Sequence, residues 1–418
     1  MKLFLLFAGV ACIFSSEVFG RYADTTKLVL PAAYRMNVYV PLLKGKRIGI
    51  CANQTSVVEN TNLIDTLLKE GVNITKIFSP EHGFRGQADA GEQTENYRDV
   101  STNITVVSLY GKKLKPAPAD LADVDILVYD IQDVGVRFYT YISTLQYFIE
   151  AAAENSKPLM ILDRPDPNGF YVDGPVLDTN FRSFIGMQPV PVVYGMTIGE
   201  YAMMICGEKW LSSAAANNKY TYYRTAENSA DTPFHFLVIK CANYDHKSRY
   251  ALPVKPSPNL PDMGSIYWYP STCFFEGTNI SEGRGTEKPF QIFGAPSLPK
   301  NMYAFTPVSR PGALSPKYMN EVCYGWNLSA EGSPHPGAKI DLQFLLEAYR
   351  LYPDKTNFFI KPKATDKSYF FDKLVGNAKL RQQVIDSKTE DEIHASWQPD
   401  LNNFKQIRKK YLLYKDFE

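Results

Sequence analysis

Ser79-Pro-Glu-His-Gly-Phe-Arg-Gly86 brings an acid, an imidazole and a guanidinium together between Glu81 and Arg85. Two glycines and a proline restrict the backbone there, so the three groups stay close to one another. Glu81, His82 and Arg85 in that arrangement suit proton transfer; a buried ion-pair knot is the structural alternative. Asp89, Gly91 and Glu92 lie just behind. Three further polar sets each follow a hydrophobic run: Asn53 with Gln54; Asp130, Gln132 and Asp133; Asp163 with Arg164. A later loop, Asn279-Ile-Ser-Glu-Gly-Arg-Gly-Thr286, sets Glu282 and Arg284 near Glu276 and several aromatics. Aromatic faces pack on pyranose rings and carboxylates grip hydroxyls, so this loop reads as a sugar-binding wall; an Arg–Glu staple is the alternative.

The elements that must position these groups alternate regularly. Apolar runs at Arg47–Asn53, Asn73–Ile77, Ile104–Leu109, Asp125–Tyr129 and Pro158–Leu162 read as strands. Between them, Thr61–Glu70 and Tyr139–Asn155 read as helices, the first with Leu63, Ile64, Leu67 and Leu68 on one face. This alternation predicts an α/β fold: a Rossmann-like, doubly wound, mostly parallel sheet with helices on both faces. Ligands bind such sheets beyond the carboxyl ends of the strands, so the four polar sets are expected to line one cleft. Neither G-x-G-x-x-G nor G-x-x-x-x-G-K-[ST] follows the first strand, and no nicotinamide cofactor or ATP is expected.

Thr197 and Glu200 have capping-box spacing, which assigns Glu200 to a helix start. Phe234–Lys240 reads as another strand, leading to Asp245 and His246, a pair suited to the cleft or to a surface network. Lys339–Tyr349 and segments within 369–414 read as helices. The expected organisation is a leader over 1–20, a main domain over 21–262 and a smaller α+β subdomain over 263–418 that closes one side of the cleft.

The 45 basic and 44 acidic residues leave a net charge of +1, so no field attracts nucleic acid or an anionic membrane surface. Lys2, the apolar run Leu3–Phe14 and small residues up to Gly20 have the form of a secretory signal peptide, too short to span a bilayer. Export to a periplasm or beyond is expected; Gly9-Val-Ala11 before Cys12 matches a leucine-led lipobox poorly. Cys51, Cys206, Cys241, Cys273 and Cys323 have neither a zinc spacing nor a disulfide framework, and most are expected to be packing residues.

Five strings carry a resemblance. They are Ser79-Pro-Glu-His-Gly-Phe-Arg-Gly86, Asp130-Ile-Gln-Asp-Val-Gly-Val-Arg-Phe-Tyr-Thr-Tyr141, Leu162-Asp-Arg-Pro-Asp-Pro-Asn-Gly169, Gly195-Met-Thr-Ile-Gly-Glu-Tyr201, and Phe275-Glu-Gly-Thr278 with Glu282-Gly-Arg-Gly-Thr286. Together they resemble the NamZ-type exo-β-N-acetylmuramidases, over about Lys46 to the C-terminus. The resemblance implies a secreted or periplasmic glycoside hydrolase that removes N-acetylmuramic acid from non-reducing ends of peptidoglycan fragments.

Glycoside cleavage needs a proton donor at the leaving oxygen and a second group that activates water, attacks the anomeric carbon or stabilises the oxocarbenium-like transition state. The family motif places its glutamate at Glu81, and a carboxyl hemmed in by Pro80 and Phe84 is suited to holding a proton. His82 would orient it. For the second carboxylate Glu276 ranks first and Asp130 next. Arg85, Arg137, Arg164 and Arg284 are candidates for gripping the lactyl carboxylate of muramic acid, a bidentate task suited to guanidinium. Asn53, Asp133, Tyr139 and Glu282 complete the candidate sugar contacts. Two other classes remain open: a metal-dependent hydrolase built from His82, Asp130, Asp133 and Asp163, and a non-catalytic cell-wall glycan-binding protein.

Overall fold

The computed structural model describes residues 28–81, 83–85, 95–220, 224–225, 235–330 and 337–418. The leader and Cys12 therefore lie outside the described residues.

The strands are β1 (Arg47–Ala52), β2 (Val57–Val58), β3 (Thr61–Asn62), β4 (Asn73–Ser79), β5 (Tyr97–Arg98), β6 (Thr105–Ser108), β7 (Ile126–Asp130), β8 (Leu159–Leu162), β9 (Arg224–Thr225), β10 (Phe236–Ile239), β11 (Ile292–Ala295), β12 (Tyr303–Phe305) and β13 (Cys323–Asn327). Eight of them form the main sheet in the order β5-β6-β4-β1-β7-β8-β10-β9. All its pairings are parallel except β5 with β6. Taking β1, β4, β6, β7, β8 and β10 in chain order gives 3-2-1-4-5-6, the doubly wound order, with its reversal at β1.

The helices are α1 (Met36–Leu43), α2 (Leu63–Lys69), α3 (Tyr141–Glu154), α4 (Ile198–Gly207), α5 (Ala214–Lys219), α6 (Met263–Thr272), α7 (Gln343–Leu351), α8 (Phe370–Val375), α9 (Lys379–Ile385) and α10 (Glu390–Lys409). The period-two rule of a pleated strand divides the core. Leu127, Tyr129, Leu159, Ile161 and Val238 face one cluster, together with α3 and α4. Ile126, Val128, Met160, Leu162 and Leu237 face the other, together with α1 and α2. Strands covered on both faces need continuous apolar runs, which is why they stand out in the sequence.

The chain beyond α6 packs on the α3–α4 side: Phe274, Phe293, Phe371 and Trp397 belong to the same cluster as the sheet residues there. Within it, β11, β13 and β12 form an antiparallel three-stranded sheet. Helix α10 is tied back by Arg408 Nε, which donates to the Gly195 carbonyl at 2.8 Å, and by Trp397 Nε1, which donates to Asp173 Oδ1 at 3.0 Å. Cys51, Cys206, Cys241, Cys273 and Cys323 are free and buried.

Candidate active site

β4 delivers Glu81 just past its carboxyl end, after Pro80 turns the chain. Glu81 Oε2 accepts from Thr140 Oγ1 at 2.7 Å, and Thr140 stands at the start of α3. The Tyr110 hydroxyl, just beyond β6, hydrogen bonds to the same carboxyl. Burial, then the Glu81 charge, pushes that hydroxyl above its ordinary pKa, so it remains a donor.

The facing wall comes from the other part of the chain. Helix α6 runs into a 3-10 turn, Cys273–Gly277, that carries Glu276. Arg284 arrives on the loop before β11, where Gly283 adopts φ +81° and a Cβ would stand 2.0 Å from the Ile292 carbonyl oxygen. Arg284 Nη2 donates to Glu276 Oε1 at 2.7 Å, and its Nε lies 3.4 Å from Glu282 Oε1. Burial opposes the charge on Arg284, but Glu276 and Glu282 outweigh it and hold the guanidinium above its ordinary pKa. Its Nη1 is buried and has no acceptor within the described protein.

Glu81, Tyr110, Tyr139, Glu276, Arg284 and Phe290 are among the residues lining one cavity of about 380 Å³. Phe184 and Phe370 add aromatic edges. Tyr139 turns its hydroxyl away to the Pro256 carbonyl, at 2.8 Å, and offers its ring instead.

The remaining sequence candidates lie elsewhere. Asp130 and Arg164, at the ends of the neighbouring strands β7 and β8, are 0% and 2% exposed. They form a bidentate pair, Nε to Oδ1 at 2.7 Å and Nη2 to Oδ2 at 2.8 Å. Arg164 stands two residues beyond the β8 position opposite Asp130 and reaches back to it, and this enclosed pairing corrects their assignment as second carboxylate and substrate clamp. Arg137 is also fully buried, and its Nη atoms donate to the carbonyls of Pro175, Val190, Leu374 and Val375 at 2.7–2.8 Å. Its Nη atoms are taken and the whole side chain is closed off, with Nε buried and unpartnered, which corrects its assignment to the substrate carboxylate. Asn53 is buried and occupied by Tyr141 and Thr55.

Asp133 is buried, bonded by the Tyr194 hydroxyl and by Gly135 N, with Oδ1 unpartnered. Desolvation raises its pKa to about 6, although those two donors pull the other way. Glu282 is 3% exposed and supports Arg284 from behind. Arg85 pairs with Asp99 at 2.7 Å, away from the cavity lining. His82, Asp89, Gly91 and Glu92 lie outside the described residues. Glu200 closes the capping box at α4, and His246, wholly buried, has Nε2 3.0 Å from its carboxyl and Nδ1 against the Gly169 carbonyl oxygen. Among the described residues no group of three or more His, Cys, Asp or Glu is placed to hold a metal ion.

Sequence reasoning missed Tyr110, Thr140 and Phe184. Tyr110 stands directly after a strand, the same signal that flagged Glu81; Thr140 lies inside one of the five family strings; Phe184 carries no local signal.

A doubly wound α/β sheet carries an acid at one strand end, and the same aromatic-lined cavity holds a carboxylate–guanidinium pair, an arrangement suited to the carbohydrate-cleaving class. The chain belongs to the exo-β-N-acetylmuramidase NamZ family: the N-terminal model of that family matches residues 48–264 and the C-terminal model residues 267–414. It is 37% identical over 393 residues to the peptidoglycan β-N-acetylmuramidase NamZ of Bacillus subtilis (strain 168), covering 90% of this chain and 89% of that one. Two crystal structures of DUF1343 family proteins from Bacteroides fragilis NCTC 9343 share the fold. One has a TM-score of 0.80 at 42% identity and the other 0.73 at 28%, each covering 93% of this chain and 99% of its own.

Proposed function

We propose that this chain is an exo-acting glycoside hydrolase that releases N-acetylmuramic acid from the non-reducing ends of peptidoglycan fragments. The observation that carries the assignment of the site is the single cavity shared by Glu81 on one wall and the Glu276–Arg284 pair on the other. The named activity of the B. subtilis relative supplies the substrate class.

In this reading Glu81 donates the proton to the leaving oxygen, and the Thr140 and Tyr110 hydroxyls fix its orientation. Glu276 supports the positive charge that develops at the anomeric carbon or activates its attacker. Arg284, part-exposed on the cavity lining, receives the lactyl carboxylate, a task suited to its planar guanidinium. Export to the compartment that holds peptidoglycan is part of the proposal, supported by the leader-like start of the sequence.

The test is release of chromophore from an aryl β-N-acetylmuramide and from the matching N-acetylglucosaminide, with wild type and Glu81→Gln side by side. Turnover of the muramide, lost in the variant while binding persists, is expected. Folded wild-type protein that turns over neither sugar would overturn the assignment.

A further inference from the structure

Lys317 belongs to the segment between β12 and β13 and carries none of the motifs above. Its ammonium nevertheless sits at the back of the Glu276–Arg284 wall. Nζ donates to the carbonyl oxygens of Phe275, Glu276, Thr278 and Ile280 at 2.8, 3.2, 2.9 and 3.1 Å. It also ion pairs with Glu282 Oε2 at 3.0 Å. Five oxygens thus converge on one cation within 3.2 Å, more acceptors than an ammonium has protons.

Four of the five are backbone carbonyls, two from the turn that carries Glu276 and two from the residues that follow it. Carbonyl dipoles aimed at a common point repel one another unless a cation fills it, the principle that coordinates potassium in channel filters. The fifth oxygen belongs to Glu282. Although burial opposes its ionisation, Lys317 and Arg284 hold that carboxyl below its ordinary pKa. The charges therefore alternate from Lys317 through Glu282 and Arg284 to Glu276, which faces the cavity.

We infer that Lys317 is a positioning residue for the Glu276–Arg284 wall and acts as a built-in monovalent cation, so that a free potassium or ammonium ion can take its place when the side chain is cut back. The inference rests on the proposed roles of Glu276 and Arg284 but adds a residue and a cation-binding property to them. Lys317 touches neither substrate nor reacting atoms; it sets the shape of the turn that does.

The experiment uses the full chain carrying Lys317→Ala, which removes the charge and clears the stem so that an ion can reach the cage, in a choline buffer free of potassium and ammonium. The expected kcat on the aryl muramide falls about tenfold or more while KM moves less than about threefold, because a misplaced group costs rate more than binding. Adding potassium or ammonium chloride to ~100 mM should restore a large part of kcat and raise the thermal midpoint, since an ion that binds only the folded state stabilises it. Tetramethylammonium, of the same charge but too large for the cage, should do neither, and wild type should respond to none of them.

A kcat for Lys317→Ala equal to that of wild type without added potassium would overturn the inference, as would a loss that neither ion relieves. Should the variant fail to fold in choline, refolding against potassium replaces the kinetics: potassium-dependent recovery supports the cage, and no recovery at any concentration overturns it. Glu276→Gln is assayed in parallel. Unchanged kcat there would remove the proposed role of Glu276, whereas the potassium-dependent midpoint of Lys317→Ala reports on the cage alone.

Discussion

Two sets of charged groups sit at the carboxyl edge of the same sheet and are used in opposite ways. Asp130 with Arg164, and Arg137 with its four carbonyls, are enclosed and held by the protein on every side. Glu81, Glu276 and Arg284 are held by neighbours on one side and look into a cavity on the other. A strand end at a topological switch point supplies candidate chemistry, but enclosure of the side chain decides whether it serves the fold or the substrate. The enclosed groups join β7, β8 and the C-terminal segment; the open ones meet across the two halves.

Substitutions should separate the two sets. Glu81→Gln should cost on the order of 10²–10⁴ in kcat, the usual contribution of a general acid, with the thermal midpoint nearly unchanged. Asp130→Ala should do the reverse: it leaves Arg164 buried and unpaired, costing about 3–5 kcal/mol in urea unfolding, while the surviving folded enzyme keeps its KM. A midpoint collapse in the first, or a pure kcat effect in the second, would break the division.

Asp133 sharpens it through pH. Its carboxyl is raised from the ordinary 3.8 to about 6, so the folded state holds that proton more tightly than the unfolded chain does. The associated stability is fully present below pH ~4 and is lost as pH rises through ~6, about 3 kcal/mol for a shift of roughly two units. Asp133→Asn should flatten stability against pH between those limits, measured by denaturant titration at each pH. The smallest effect is expected from Arg284→Lys, which keeps the charge but loses the planar fork. It should lower kcat/KM on the muramide roughly tenfold, about 1.4 kcal/mol, and narrow its preference over the glucosaminide.

The main sheet was legible because its strands are doubly covered and so read as unbroken apolar runs, Ile126–Asp130 and Leu159–Leu162 among them. The three-stranded sheet was not: Ile292-Phe-Gly-Ala295 and Tyr303-Ala-Phe305 are short, and the first is interrupted by glycine. At the site, the strings containing Glu81, Glu276 and Arg284 pointed to the residues that line the cavity. The arginines misled because their partners are remote in sequence. Arg137 is consumed by Leu374 and Val375, 237 and 238 positions away. Lys317 was invisible for the same reason, since four of its five acceptors lie 37 to 42 positions upstream and are backbone atoms without any sequence signature.

The most direct test of the open set is a crystal structure of Glu81→Gln with a muramyl disaccharide bound. The account predicts the glycosidic oxygen within about 3 Å of the Gln side chain, the reach of a proton donor, and the lactyl carboxylate on Arg284. A sugar seated away from the wall formed by Glu276 and Arg284, with residue 81 out of reach of the scissile bond, would contradict it.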